Sequence, residues 1–487
     1  MRRLSKSVAD LKLRYDVVVI GSGYGGGVAA SRLARAGKKV AVLERGQEFA
    51  IGDFPDRMIE AQEQFQVSRD GKRVSGTPTG LYDLRLGKDM HVFVGCGLGG
   101  GSLVNANVSL PPDPRVWDDP VWPPELTQDQ MRQEGFTRAM EVLRPVPYQG
   151  PDLDKLKALG ISGNALRKDV VRPPINVTFE KQVNYAGVEQ PACTMCGDCC
   201  SGCNVGSKNT VQVTYLADAF HHGAEIFTEM RVTHVRQERG RWRVFFEPLG
   251  HEREKFSAGD QSITADVVVL AAGTLGSTEI LLRSREEGLA VSDQLGERFT
   301  GNGDVLAFAY NNDVPVNGIG VGSPAIADTG PVGPCISGLI DLRDTENLED
   351  GMVIEEGSIP SSLAPILPGL FTVGADKFGE DTDRGVLDFI AERARRRQSL
   401  LFGAYEGAIN RTQTYLVMSH DDGKGRIGLE DGRLKLDWPK VAAQSVFEKV
   451  DRNLRRATEA TGGTYTRNPL TDTIFGHNLI TVHPLGG

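Results

Sequence analysis

Nowhere in these 487 residues does an apolar run approach the roughly 18 to 20 needed to cross a bilayer, so membrane contact is expected to be at most peripheral. The N-terminus, MRRLSKSVADLKLRYD, is basic but has no continuous apolar stretch after its arginines, as a secretory or twin-arginine signal would need, and Arg2 and Arg3 read as a solvated tail. Positive charge is in deficit: 55 Lys and Arg face 64 Asp and Glu, a formal net charge of -9, and aromatic residues make up only 7%. Neither a phosphate-binding stripe nor a base-stacking surface is expected, which argues against nucleic acid and polyanionic substrates. Cysteine is scarce outside one segment. Five of the seven lie between Cys193 and Cys203, an arrangement that an extracellular disulfide framework does not explain, so a reduced, cytoplasmic setting is expected. No internal repeat or low-complexity tract is present. What remains, 40% hydrophobic and 24% charged, suits a globular chain of two or three domain-sized units.

The first of these units opens at Tyr15–Ile20, YDVVVI, a β-branched run suited to a strand buried on both faces of a parallel sheet. It runs into GSGYGG, where Gly21, Gly23 and Gly26 have the GxGxxG spacing: a tight turn, close backbone approach to a pyrophosphate, and close helix–strand packing. GVAASRLARAG continues with helical spacing, so the amides and positive dipole end of that helix face the phosphates. A second strand, KKVAVLE, ends on Glu44, 18 residues after Gly26, where a carboxylate accepts both hydroxyl hydrogens of an adenosine ribose and repels a 2'-phosphate. Strand, glycines, helix, strand and acid fall in order. The unit predicts a dinucleotide site without distinguishing FAD from NAD.

Three further segments narrow the choice. Gly95–Val108 reads GCGLGGGSLVNANV, a glycine-dense loop that lets backbone approach a ligand. Asp266–Ser284 reads DVVVLAAGTLGSTEILLRS, a buried strand running through Gly273 into a helix, and the chain closes on TVHPLGG, with His483 in a Pro/Gly-rich loop. Together with the N-terminal unit, these segments resemble the glucose-methanol-choline (GMC) oxidoreductase family and, within it, a bacterial cholesterol-oxidase-like branch.

The resemblance implies an α/β fold: an FAD-binding, Rossmann-like domain of the para-hydroxybenzoate-hydroxylase type, with an interleaved α+β substrate domain. The corresponding division is 12–110 and 206–303 for FAD binding, 111–205 for a cap segment with the cysteines, 304–475 for the substrate domain, and 476–487 for the start of a catalytic segment. It places Gly95, Gly100 and Asn105 against the flavin and its diphosphate, the Val232 backbone at the adenine, and Gly273 near the diphosphate. His483 matches the histidine that faces the flavin. As a neutral imidazole it would accept the hydroxyl proton while the carbon-bound hydrogen leaves as hydride for flavin N5. In the sterol branch a cavity carboxylate often assists; Glu355 and Glu356, in GMVIEEGSIP, are the candidates and Glu356 is preferred, a solvated loop carboxylate being the other reading. Family members continue beyond HPLGG with a further segment beside the flavin, so the sequence reads as part of a longer frame.

Residues 193–203 read CTMCGDCCSGC, giving Cys193, Cys196, Cys199 and Cys203 the CxxCxxCxxxC spacing of a bacterial ferredoxin run. An iron–sulfur cluster, a zinc ion and reduced structural thiols are the three readings. Asn204 stands where ferredoxins place proline, and no second run is present. Val386–Ile409, VLDFIAERARRRQSLLFGAYEGAI, is helical, with ERARRR expected on a solvated face rather than against anionic lipid. DDGKGRIGLEDGRLKLDWPK is a hairpin signal that suits the substrate-domain sheet. The expected activity is FAD-dependent oxidation of an alcohol, a 3β-hydroxysteroid such as cholesterol first, with oxygen or another acceptor. The alternatives are a flavin/iron–sulfur electron-transfer protein and an inactive truncated fragment.

Overall fold

In the computed structural model, residues 2–127, 129–250, 261–383, 385–468 and 479–487 are described. The expected boundary between 475 and 476 lies outside them. Among the described residues, no helix is long and apolar enough to cross a membrane.

A six-stranded sheet carries the N-terminal unit, in the order Glu225–Phe227, Val40–Leu43, Arg14–Ile20, Gln261–Leu270, Arg241–Pro248, Met230–Glu238. The first four strands pair in parallel and the last two fold back antiparallel. Val18 and Val19 are fully buried on opposite faces, which is why the run shows no polar alternation. The chain leaves Ile20 through Gly21, whose φ of +91° an L side chain would resist, and enters the helix Tyr24–Arg35. A Cβ on Gly26 would lie 2.0 Å from the Gly21 carbonyl oxygen, so that glycine lets helix and turn touch.

A seven-stranded sheet, in the order Glu380–Asp381, Thr464–Arg467, Val305–Tyr310, Gln413–Met418, Val353–Gly357, Leu339–Asp341, Val170–Val171, forms the second layer. Its pairs are antiparallel. The helix Ser445–Glu459 buries Val446, Phe447, Val450, Leu454 and Ala457 along one stripe against it. Leu479–Thr481 pairs with Met90–Gly95 in a separate five-stranded sheet, and the Thr274 hydroxyl donates to the Pro484 carbonyl, which holds the His483 loop beside the helix Gly273–Glu286.

One expectation is corrected here. The hairpin Arg426–Glu430 with Arg433–Asp437 forms, but as a two-stranded sheet of its own and not within the seven-stranded sheet. The helix Val386–Phe402 presents apolar as well as basic groups to solvent: Leu387, Phe389, Ile390, Leu401 and Phe402 are all exposed. Glu392 and Ser399 turn inward, as does Arg395, which donates to Asn311, whereas Arg393 and Arg397 remain exposed.

Candidate active site

A cavity of about 2190 Å³ opens at the carboxyl ends of the parallel strands Arg14–Ile20 and Gln261–Leu270, where doubly wound sheets bind their ligands. The volume exceeds the roughly 300–1,000 Å³ that holds one drug-sized ligand, so a dinucleotide and a second molecule can share it. Gly21, Gly23, Glu44, Gly95, Gly100, Asn105, Val232 and Gly273 all line it. Gly26 does not; it packs behind the turn.

The glycines leave a cradle. Added Cβ atoms at Gly23 and Gly273 would meet nothing within 4 Å and would project into open space. Gly273 also opens the helix Gly273–Glu286, so free amides face the cavity there. Both oxygens of Glu44 are engaged: Ser22 donates its backbone N–H at 3.0 Å and its hydroxyl at 2.6 Å to Oε2, and the Gly46 N–H donates to Oε1 at 2.8 Å. Asn105 donates Nδ2 to the Tyr24 hydroxyl at 2.9 Å while its buried Oδ1 has no partner. Both side-chain polar atoms of the neighbouring Asn107 are likewise unpartnered, an expensive state for buried amides unless a ligand completes them. Buried Lys208 fixes this loop by donating to the carbonyls of Leu103, Asn105 and Cys199.

His483 borders the same cavity, with 42% of its side chain accessible. Its Nδ1 lies 3.0 Å from both oxygens of Asp304, a carboxylate 2% exposed that also accepts from the backbone N–H of Val482 and His483 and from the Thr481 hydroxyl. Nδ1 bound in this way leaves Nε2 as the free ring nitrogen. Burial pulls the imidazole down, but the hydrogen bond to Asp304, its charge and that of Glu355 outweigh it and raise the pKa above the ordinary value. Asp304 was not among the sequence candidates; it lies 179 residues from His483, and nothing local marks it.

The carboxylate pair resolves differently from expectation. Residues 355 and 356 belong to the strand Val353–Gly357, where successive side chains point to opposite faces. Glu355 lines the cavity; its Oε1 is buried without a partner, and burial pushes its carboxyl up to about 8, against the lowering effect of His483. Glu356 turns away. It is fully buried beside Lys155, 3.0 Å from Nζ, and accepts from Ser337 and Gly338. The preference for Glu356 as the cavity carboxylate is therefore corrected to Glu355.

The four cysteines of the ferredoxin-like run show no preformed metal site. Cys193, Cys196, Cys199 and Cys203 do border one space, but its volume is about 20 Å³, room for a water and not for a cluster core. No three of their sulfurs lie within 4.8 Å of one another, whereas thiolates on one zinc stand about 3.8 Å apart. Burial raises the Cys193 and Cys196 thiols, which favours the protonated form. All seven cysteines are free thiols.

Residues 15–300 match the family model described as GMC oxidoreductase. The chain belongs to that family. It is 28% identical over 335 residues to a cholesterol oxidase of Acinetobacter baumannii, covering 64% of this chain and 59% of that one. It is 30% identical over 296 residues to a cholesterol oxidase of Mycobacterium tuberculosis, covering 57% and 49%. A long-chain-alcohol oxidase of Arabidopsis thaliana is 31% identical over 220 residues, covering 45% and 26%. The match thus spans about half the length of the cholesterol oxidases and a quarter of the plant enzyme. Among solved structures, a pyridoxine 4-oxidase superposes with a TM-score of 0.52 at 16% identity, over 96% of this chain and 87% of the other. A fungal aryl-alcohol oxidase gives 0.54 at 13%, over 97% and 88%. These last two speak for the GMC fold. The GMC family implies FAD, and the open glycine cradle, Glu44 and the unpartnered Asn105 and Asn107 atoms fit it.

Proposed function

We propose that this GMC chain oxidises an apolar alcohol, with a 3β-hydroxysteroid the first substrate class and a long-chain alcohol the second. The observation that carries this reading is the meeting of His483, held by Asp304, with Glu355 in the cavity that also holds the glycine cradle. Bound FAD supplies the acceptor for the carbon-bound hydride. The protein's own part is to place and deprotonate the hydroxyl group. His483 takes the hydroxyl proton at Nε2, and Asp304 holds the required tautomer and stabilises the imidazolium that results. While protonated, the form that burial favours, Glu355 donates a hydrogen bond to the substrate oxygen. Leu306, Phe308, Leu363, Phe371 and Leu416 give the cavity apolar wall that suits a hydrocarbon body, and the cholesterol and long-chain-alcohol oxidases among its relatives support the same class.

The test is the pH profile of alcohol oxidation. A base acts only when unprotonated, so activity should rise with pH through a His483 pKa lying above the ordinary histidine value. In Asp304→Asn the raising hydrogen bond and charge are lost, and that limb should move to lower pH while kcat falls on the order of 100-fold. An unmoved limb would show that His483 is not the titrating base.

A further inference from the structure

Two thiols outside the ferredoxin-like spacing meet at the cavity wall. The sulfurs of Cys200 and Cys335 are 3.3 Å apart, although 135 residues separate them in sequence, and both residues line the large cavity. Each comes from an element that fixes it. Cys200 sits in the short turn Cys199–Ser201, followed by Gly202 at a φ of +106°. Lys155, paired with Glu356, donates Nζ hydrogens to the carbonyls of Pro334 and Cys335, and so holds the Cys335 backbone. The pair packs with Ala106 and Val108, which flank Asn107 in the loop with the unpartnered amides. A disulfide needs about 2.05 Å between sulfurs, so an approach of roughly 1.2 Å would close the bond.

We propose that Cys200 and Cys335 are a reversible dithiol/disulfide couple at the wall of the cavity, with hydrogen peroxide as the oxidant. One thiolate attacks a peroxide oxygen, the O–O bond breaks, and a sulfenic acid and hydroxide result. The second thiol then attacks the sulfenic sulfur, the S–S bond forms, and water leaves. The sum is two thiols and one peroxide giving one disulfide and two waters. Peroxide arises in this cavity when oxygen takes the electrons removed from an alcohol; to that extent the role in turnover rests on the function proposed above, while closure of the bond does not. The bridge would tie the cysteine segment to the wall beside Glu355 and set the shape of the substrate end of the cavity.

The full chain would be treated with a small excess of hydrogen peroxide, its remaining thiols alkylated, and the non-reduced digest mapped by tandem mass spectrometry. A Cys200–Cys335 cross-link that dithiothreitol reverses is expected, together with its persistence in C199S and its loss in C200S, where Cys335 is instead trapped as sulfenic acid by dimedone. Cross-links confined to Cys193, Cys196, Cys199 and Cys203 would overturn the proposal. So would an equal yield of the Cys200–Cys335 link from protein unfolded in urea, since the native approach of the sulfurs would then play no part. Peroxide added from outside makes this result independent of alcohol turnover: a cross-link without turnover would count against the proposed function and leave the couple standing.

Discussion

His483→Ala is expected to lower kcat for alcohol oxidation by about 10²- to 10⁴-fold, the range spanned by a positioned general base, with FAD content and Tm close to those of the parent. The side chain is 42% accessible and stands in a loop, so its removal opens no core cavity. KM should change less than kcat, because proton transfer is an interaction of the transition state and not of the bound alcohol. A variant that keeps more than about a tenth of kcat would place the proton elsewhere, and Glu355, next in the same cavity, would then have to be tested as the base. Loss of FAD from the variant would point to a structural role for the loop.

Lys155→Met should be the most damaging single change to stability. Lys155 and Glu356 are both fully buried and 3.0 Å apart, and Lys155 also serves the Pro334 and Cys335 carbonyls. Removing one partner of such a pair leaves a buried charge uncompensated, at a cost of about 3–5 kcal/mol and a fall in Tm of about 3–5 °C for a chain of this length. The double change Lys155→Met with Glu356→Leu should recover much of the loss, because apolar residues of similar volume replace buried ion pairs at little net cost. Calorimetry of the three variants decides this. If the single change costs under about 1 kcal/mol, the pair is solvated in practice and Glu356 regains a claim on the cavity.

The dinucleotide unit was legible because its signals are local. The run YDVVVI, three glycines at fixed spacing, a helical stretch and Glu44 lie within thirty-odd residues, and each is required by backbone geometry or burial at that point. The site beyond it was legible only in part. His483 stood out through its Pro/Gly context, but Asp304 orients it from the head of a strand far away in sequence. The choice between Glu355 and Glu356 turns on a register: Glu355 faces Leu416 and Glu356 faces Tyr415 on the neighbouring strand, and the helix Asp154–Ala165 delivers Lys155 to one face only. A one-residue shift would exchange the two carboxylates. The cysteine spacing left three readings open for a related reason, since spacing limits where thiols can reach and the surrounding packing decides where they point. Cys335, which meets Cys200, belongs to no motif at all.

The most direct test of the central claim, that this cavity holds FAD and oxidises alcohols there, is an anaerobic absorption spectrum of the purified protein before and after addition of alcohols. A 3β-hydroxysteroid and a long-chain primary alcohol should be compared with a sugar. Flavin bands that bleach with the first or second and not with the third are the predicted result. A protein without flavin, or flavin bands that persist with every alcohol, would contradict the account.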